Sequence, residues 1–334
     1  MMILEGDWEA LEAEERPHGT ARLRLFPRSE HDIFLGVDQQ TRQRLLLITV
    51  PTAAVAQLLR ENPVLPQTKG LSLQIVPAGG DRHDLQVVLT ARERREVFNP
   101  LIADIAGAVA AERGPVAALR AAVGRFEHWR RLLQSIADTG LGAEARLGLF
   151  GELAVLRDHV VPAVGPAAAV SAWRGPAAAD QDFQMAACAI EVKTGAGKNP
   201  RAVTIASERQ LDGRSVKRLL LCHLSVEERQ GGSGESLNEI IDDLLRGLGP
   251  GPAGLLAALL VTAGYLSEHR HLYDEPRYTV LRTSFWDVAG EFPRIVESDL
   301  RPGVGGCSYR ISLAGLGPYE VPADRAIGII KGES

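Results

Sequence analysis

Residues 188–199 read CAIEVKTGAGKN. Ile190 and Val192 alternate with Glu191 and Lys193, the period of a β-strand that buries one face and keeps the other polar. With two strand rises of about 3.3 Å between them, the Cα atoms of Glu191 and Lys193 lie roughly 6.5 to 7 Å apart. An acid and an ammonium at that spacing both reach one small object lying against the strand: water, a partner strand or a metal-bound phosphate.

The neighbouring segments narrow the choice. Upstream, GAEARLGLFGELAVLRDHVVPAV has helical periodicity, with Glu152 among the few polar residues on an apolar face. The Ala/Pro/Gly-rich stretch VPAVGPAAAVSAWRGPAAA is expected to be a loop, and DQDFQMA with CAIEVKT to form a hairpin. Downstream come a short strand AVTIA, a short helix SERQLDG and the apolar strand KRLLLCHLSV. The order is helix, strand, strand, strand, helix, strand.

On such a hairpin Asp182 can lie opposite Glu191. Two carboxylates and a backbone carbonyl make an oxygen-only site suited to Mg²⁺, with Mn²⁺ as a substitute. Lys193 then points at the same waters, placed to orient a nucleophile or offset phosphoryl charge. Asp180 is a rival to Asp182 as the first acid.

These residues resemble the PD-(D/E)XK nuclease superfamily, the restriction-endonuclease-like fold, whose signature is an acid, a spacer, then an acid, any residue and a lysine. Here the signature is Asp182, then Glu191, Val192 and Lys193. The superfamily often adds an acid on the preceding helix, matching Glu152, and a glutamine on the following one, matching Gln210. The whole chain is also similar to a family of bacterial PD-(D/E)XK-motif proteins with a GEL-bearing helix, a Trp before a loop, a DF strand and EVKT. The sequence departs from the motif at Gln181, which stands where the motif's proline precedes the first acid.

The resemblance implies an α/β restriction-endonuclease-like core of order αβββαβ on a mixed central sheet. It also implies a Mg²⁺-dependent endonuclease acting on DNA in a restriction or phage-defence setting. Asp182, Glu191 and Glu152 are the implied metal ligands, Lys193 the residue that positions the nucleophile, and Gln210 an aid to orientation. The alternative is a catalytically weak or inactive nuclease fold serving as a DNA-binding or assembly subunit of a defence complex. Homodimerisation is open to either.

Local charge favours a nucleic-acid surface here. From Lys193 to Arg218 there are seven basic residues against two acids, Glu208 and Asp212, in a chain of net charge −5. Lys198, Arg201, Arg209 and Arg214 are the expected backbone contacts. The global acidity argues against an avid nonspecific binder.

The chain has 334 residues, 45% apolar and 24% charged, ordinary for a globular protein with ample core. Three dispersed cysteines suggest a reducing compartment. The opening MMILEGDWEALEAEERP turns acidic where a signal peptide stays apolar, and the run PAGLLAALLVTAGYL is too short to cross a bilayer. A cytoplasmic protein with no membrane partner is expected. Its divisions are a β-rich then helical region over 1–135, the nuclease-like core over 136–235, and a helical and β C-terminal region over 236–334.

Overall fold

The strands expected before residue 90 pair into one antiparallel sheet in the computed structural model, which describes residues 3, 5–14, 19–68, 70–91, 95–135, 139–177, 179–197 and 202–333. The chain divides into two compact units, Met1–Ala137 and Asp138–Ser334.

In the first unit the strands are β1 (Thr20–Leu25), β2 (Asp32–Asp38), β3 (Arg44–Pro51), β4 (Gln67–Thr68), β5 (Leu71–Gly79) and β6 (Arg82–Leu89), in spatial order β1-β2-β3-β6-β5-β4. Every side chain from Arg44 to Ile48 is buried, the composition of a central strand. Two helices escaped the sequence reading, α1 (Glu5–Ala13) and α2 (Thr52–Glu61). The buried Arg44 accounts for the first. Its guanidinium donates to Glu12 and Glu5 of α1 and lies 5.0 Å from the Trp8 ring centroid, so the buried charge is paired. Helices α3 (Arg95–Ala111) and α4 (Pro115–Ser135) follow the expected periodicity, with Phe126 and Trp129 of α4 buried and the Trp129 indole donating to Asp104 of α3.

The second unit is a mixed α/β structure. Helix α5 (Ala143–Val155) runs through a widened π-turn at Leu156–Val160 into α6 (Val161–Val164), and α7 (Pro166–Ala172) follows. Helices α6 and α7 together replace most of the expected loop. Gly165, at φ +81°, breaks the helix, Pro166 restarts it at its first position, and the small residues Ala169, Val170 and Ala172 are buried packing surface.

Next come β7 (Phe183–Gln184), β8 (Ala189–Ala196), β9 (Ala202–Ile205), β10 (Leu219–Arg229), α8 (Leu237–Gly247), α9 (Pro250–Thr262), β11 (Arg277–Asp287), β12 (Tyr309–Ser312), β13 (Glu320–Val321) and α10 (Ala323–Lys331). The central sheet has the order β13-β11-β10-β8-β7, with β8 and β10 parallel and the other pairs antiparallel. Strands β11 and β13 lie beyond residue 235, so the core expected over 136–235 shares its sheet with the C-terminal segment.

Three expectations need correction. The third strand of the expected order, β9, is not in the central sheet; it pairs with β12 in a two-stranded sheet of its own. The expected SERQLDG helix is a tight turn over Glu208–Leu211 followed by a single 3₁₀ turn at Gly213–Ser215. Its backbone bonds are of the three-residue kind, Gln210 N to Ser207 O and Asp212 N to Arg209 O, and Asp212 then caps Arg214 N. Third, β8 is not buried on one face only, because Glu191 is 1% exposed.

The cause lies in what covers each face of β8. Thr194 meets α5 at Gly151, where an added Cβ would fall 1.8 Å from Thr194 Oγ1, so by alternation Ile190 and Val192 share the helix-covered face. Ala189 and Glu191 point to the other face. There Ala189 and Leu221, the partner of Glu191 on β10, join a core with Val203, Ile205, Leu211 and Ile311. Glu191 is a carboxylate set into that core.

Candidate active site

Glu191 forms the floor of the site. Lys193 Nζ lies 2.8 Å from Glu191 Oε1, an ion pair by distance. Among the described residues neither buried carboxylate oxygen of Glu191 has a partner in hydrogen-bond geometry, the Lys193 contact included. Burial pushes the Glu191 carboxyl up to about 8; the charge of Asp182 adds to the rise and Lys193 opposes it.

Asp182 sits at the start of β7, across the hairpin. Its Oδ2 accepts from Val192 N at 2.7 Å, which fixes the carboxylate beside the strand segment that carries Glu191 and Lys193. Its carbonyl accepts from Arg174 N at 2.6 Å and Gly175 N at 3.1 Å. Burial raises the Asp182 carboxyl, against the pull of the Val192 N–H and of Lys193. Asp180, the rival acid, is exposed to solvent.

Glu152 arrives from α5. Its Oε2 accepts from the Trp173 indole at 2.7 Å. Burial holds its carboxyl well above the ordinary range, and Asp182 raises it further, against the lowering effect of the indole bond. The backbone of Gly175 lies between the two acids: a Cβ built there would fall 2.4 Å from Glu152 Oε2 and 3.2 Å from Asp182 Oδ1. The two oxygens are therefore no farther apart than the sum of those distances. Glu152 and Asp182 keep part of their surface accessible while Glu191 does not, so the cluster opens outward on their side.

Gln210 completes the group. Its Oε1 accepts from Ala206 N at 2.8 Å and from Lys193 Nζ at 3.1 Å, so the ammonium is held between Gln210 and Glu191. All five sequence-predicted catalytic residues, Glu152, Asp182, Glu191, Lys193 and Gln210, are thus linked by direct contacts or a shared neighbour. The charge of Asp182 raises both Glu152 and Glu191, so the three acids titrate interdependently.

The expected nucleic-acid contacts fare unevenly. Lys198 and Arg201 lie outside the described residues. Arg209 is exposed on the turn beside Gln210. Arg214 is held by Asp212 at 2.6 Å, with Glu297 at 3.4 Å, so its charge is largely offset.

Sequence reasoning gave no role to the residues that hold the acids in place. Gly151 lets α5 approach β8, Trp173 supplies the donor to Glu152, and Gly175 leaves room between the carboxylates. The available signal for Gly151 was its place directly before Glu152 in an otherwise good helix, where glycine costs about 1 kcal/mol relative to alanine.

Among the described residues, no three His, Cys, Asp or Glu side chains are already gathered around one point as a metal cage. The donor set nonetheless suits a hard divalent cation. It is made of carboxylate oxygens, and among the described residues the buried Glu191 lacks a hydrogen-bond partner for either oxygen, a costly state that a divalent cation relieves. Among the described residues, no helix is long and apolar enough to cross a membrane.

Residues 4–314 match the family described as "Putative PD-(D/E)XK family member, (DUF4420)", and the chain belongs to that family. A nuclease-like protein is the class this membership defines, and the match extends across both units. No curated protein and no solved structure matches the chain.

Proposed function

We propose that the second unit is a divalent-metal-dependent nuclease that hydrolyses DNA phosphodiesters in restriction or phage defence. One observation carries the reading: Glu191 is 1% exposed, without a hydrogen-bond partner among the described residues, and in contact with a lysine beside two further acids. A purely structural role does not call for a carboxylate in that position, and conflicts between burial and chemistry tend to mark functional sites. Supporting it are the parallel pair β8 and β10 and the succession α5, β7, β8, β10 in the second unit, with β9 standing outside the central sheet.

Asp182 and Glu191 would hold a Mg²⁺ or Mn²⁺ ion, with Glu152 adding an oxygen or fixing one of its waters. When bound, the ion supplies a Lewis acid for the phosphoryl oxygens and makes water a better nucleophile at neutral pH. Lys193, braced by Glu191 and Gln210, presents its ammonium to the attacking water and to the phosphate charge that develops. The Val192 N–H holds Asp182 in place through this step, and the Trp173 indole does the same for Glu152.

The test is plasmid nicking and cleavage with Mg²⁺ or Mn²⁺, on methylated and unmethylated DNA, for the wild type, Glu191→Ala and Lys193→Ala. Metal-dependent cutting lost in both variants supports the nuclease. Absence of cutting by any form, with DNA retained in a binding assay, favours a DNA-binding subunit of a defence complex.

A further inference from the structure

Gln181 stands where the motif has proline, and it is 1% exposed. A buried amide has two N–H groups and a carbonyl oxygen to satisfy, and each one left unpaired is destabilising. Both N–H groups are used on the turn that carries Gln210. Gln181 Nε2 donates to Arg209 O at 3.1 Å and to Gln210 O at 3.4 Å, while its Oε1 accepts from Gln184 Nε2 at 3.1 Å.

The turn has need of these bonds. In an α-helix the carbonyls of Arg209 and Gln210 would accept from residues four positions on. Here the chain leaves helical geometry at once, and among the described residues the backbone supplies only Asp212 N to Arg209 O. A side chain from the next element takes over the role of the missing helical turn. Proline at position 181 has no group able to do so.

We propose, resting on the nuclease reading, that Gln181 is a positioning residue for Lys193. It anchors the Gln210 turn to the strand that bears Asp182. The Gln210 carbonyl oxygen, fixed in addition by Ala206 N, then holds the Lys193 ammonium against Glu191. Gln181 touches neither substrate nor metal; it acts through Gln210.

The experiment is a double-mutant cycle in the full chain with Gln181→Ala, Gln210→Ala and the pair, read as kcat and KM for plasmid cleavage and as Mn²⁺ half-saturation. Gln181→Met serves as the second variant, because it keeps the volume and loses only the amide. The expected result is a fall in kcat of about 10- to 100-fold for either Gln181 variant, the range for misplacing a catalytic group by about an ångström. KM and Mn²⁺ half-saturation should stay within about twofold, and the pair should be no slower than Gln210→Ala alone.

Multiplicative losses in the pair, full activity in Gln181→Met, or weakened Mn²⁺ binding would overturn the proposal, the last by showing that Gln181 supports Asp182. The NMR chemical shift of the Lys193 ammonium at one fixed pH, assigned with Lys193→Arg, separates this from failure of the nuclease reading. Even in a chain that cuts nothing, Gln181→Ala should displace that resonance in the same direction and by a similar amount as Gln210→Ala, whose oxygen contacts the ammonium. An unmoved resonance would sink the positioning role, whatever the activity.

Discussion

Lys193 Nζ lies 2.8 Å from Glu191 Oε1, two positions along the same strand, and the carboxylate it contacts is sealed in the core with neither oxygen in a hydrogen bond among the described residues. An acid in that position has two ways to lower its free energy: take up a proton or bind a cation. Its chemistry follows from that choice.

The first prediction is a pH dependence of stability. Glu191 has an ordinary value of 4.5 and is pushed up to about 8 in the folded state, chiefly by burial. Because the folded value lies above the unfolded one, the protonated group favours folding. That stability is fully present below about 4.5 and is lost as pH rises through about 8. Glu152 and Asp182 are raised as well and act in the same direction. From Glu191 alone the loss amounts to about 5 kcal/mol at most. Thermal melts of the metal-free protein should show Tm falling between pH 5 and 8, with Mn²⁺ restoring it most at the alkaline end. Glu191→Gln should flatten the slope, and an unchanged slope in that variant would show that the buried carboxylate is not its source.

Lys193→Met should give a conditional defect. Removing one partner of a buried ion pair costs about 3–5 kcal/mol when the other must stay charged. At pH 6 Glu191 can instead hold a proton, so the variant should melt close to the wild type there and well below it at pH 8.5. Cleavage should fall by at least about 100-fold at every pH, as for loss of a transition-state stabiliser. Calorimetry should show Mn²⁺ still binding, since every carboxylate oxygen remains. Loss of metal binding would make Lys193 a part of the metal site's scaffold.

How far the sequence revealed the site depends on which residues bear charge. Asp182, Glu191 and Lys193 stood out because charges beside an apolar run conflict with burial, and resemblance supplied Glu152 and Gln210. The supports were harder to see: nothing local distinguishes Gly175 from the other glycines of an Ala/Gly-rich stretch, and Gln181 stood out only as a departure from the motif's proline, with no sign of what its amide holds. The same limit applies to the fold. β10 was legible from its apolar run, but pairing β9 with β12 depends on residues about a hundred positions apart, which no local pattern encodes. Helix α2 was missed although Ala54, Val55 and Leu58 have helical spacing, because the strand before it runs into it at Pro51 without a break.

Gly151→Ala tests the approach of helix to strand. Its Cβ would fall 1.8 Å from Thr194 Oγ1 and 2.9 Å from Thr194 Cβ, so α5 must shift and carry Glu152 with it. A destabilisation of about 1–3 kcal/mol is expected, with cleavage reduced. Gly148→Ala in the same helix meets nothing within 4 Å and should be neutral or stabilising by up to about 1 kcal/mol. Adding Thr194→Ala to Gly151→Ala removes the nearest atom and should recover part of both losses. Chemical denaturation of the three variants checks this, and a full loss in Gly148→Ala would mean that helix flexibility matters more than the contact.

Glu152 and Asp182 converge across Gly175, and their convergence can be blocked without removing any ligand. Gly175→Ala would put a methyl 2.4 Å from Glu152 Oε2 and 3.2 Å from Asp182 Oδ1, in the space the two acids share. The Glu152 carboxylate is the far end of a flexible side chain and will swing aside, which breaks its 2.7 Å bond from the Trp173 indole. Hydrogen bonds to charged groups are worth about 1.5–3 kcal/mol, so the freed carboxylate should become still harder to ionise. The variant should fold with a Tm near that of the wild type, bind Mn²⁺ at least about tenfold more weakly at pH 7, and regain part of that affinity as pH rises. Trp173→Phe keeps the ring and removes only the donor. It should show the same shift of metal affinity to higher pH in a milder form, since the space between the acids stays open. Mn²⁺ titrations of both variants from pH 6 to 9 test the pair. If Gly175→Ala binds metal like the wild type, Glu152 and Asp182 do not share a cation, and Glu152 belongs to the hydrogen-bonded support of the site.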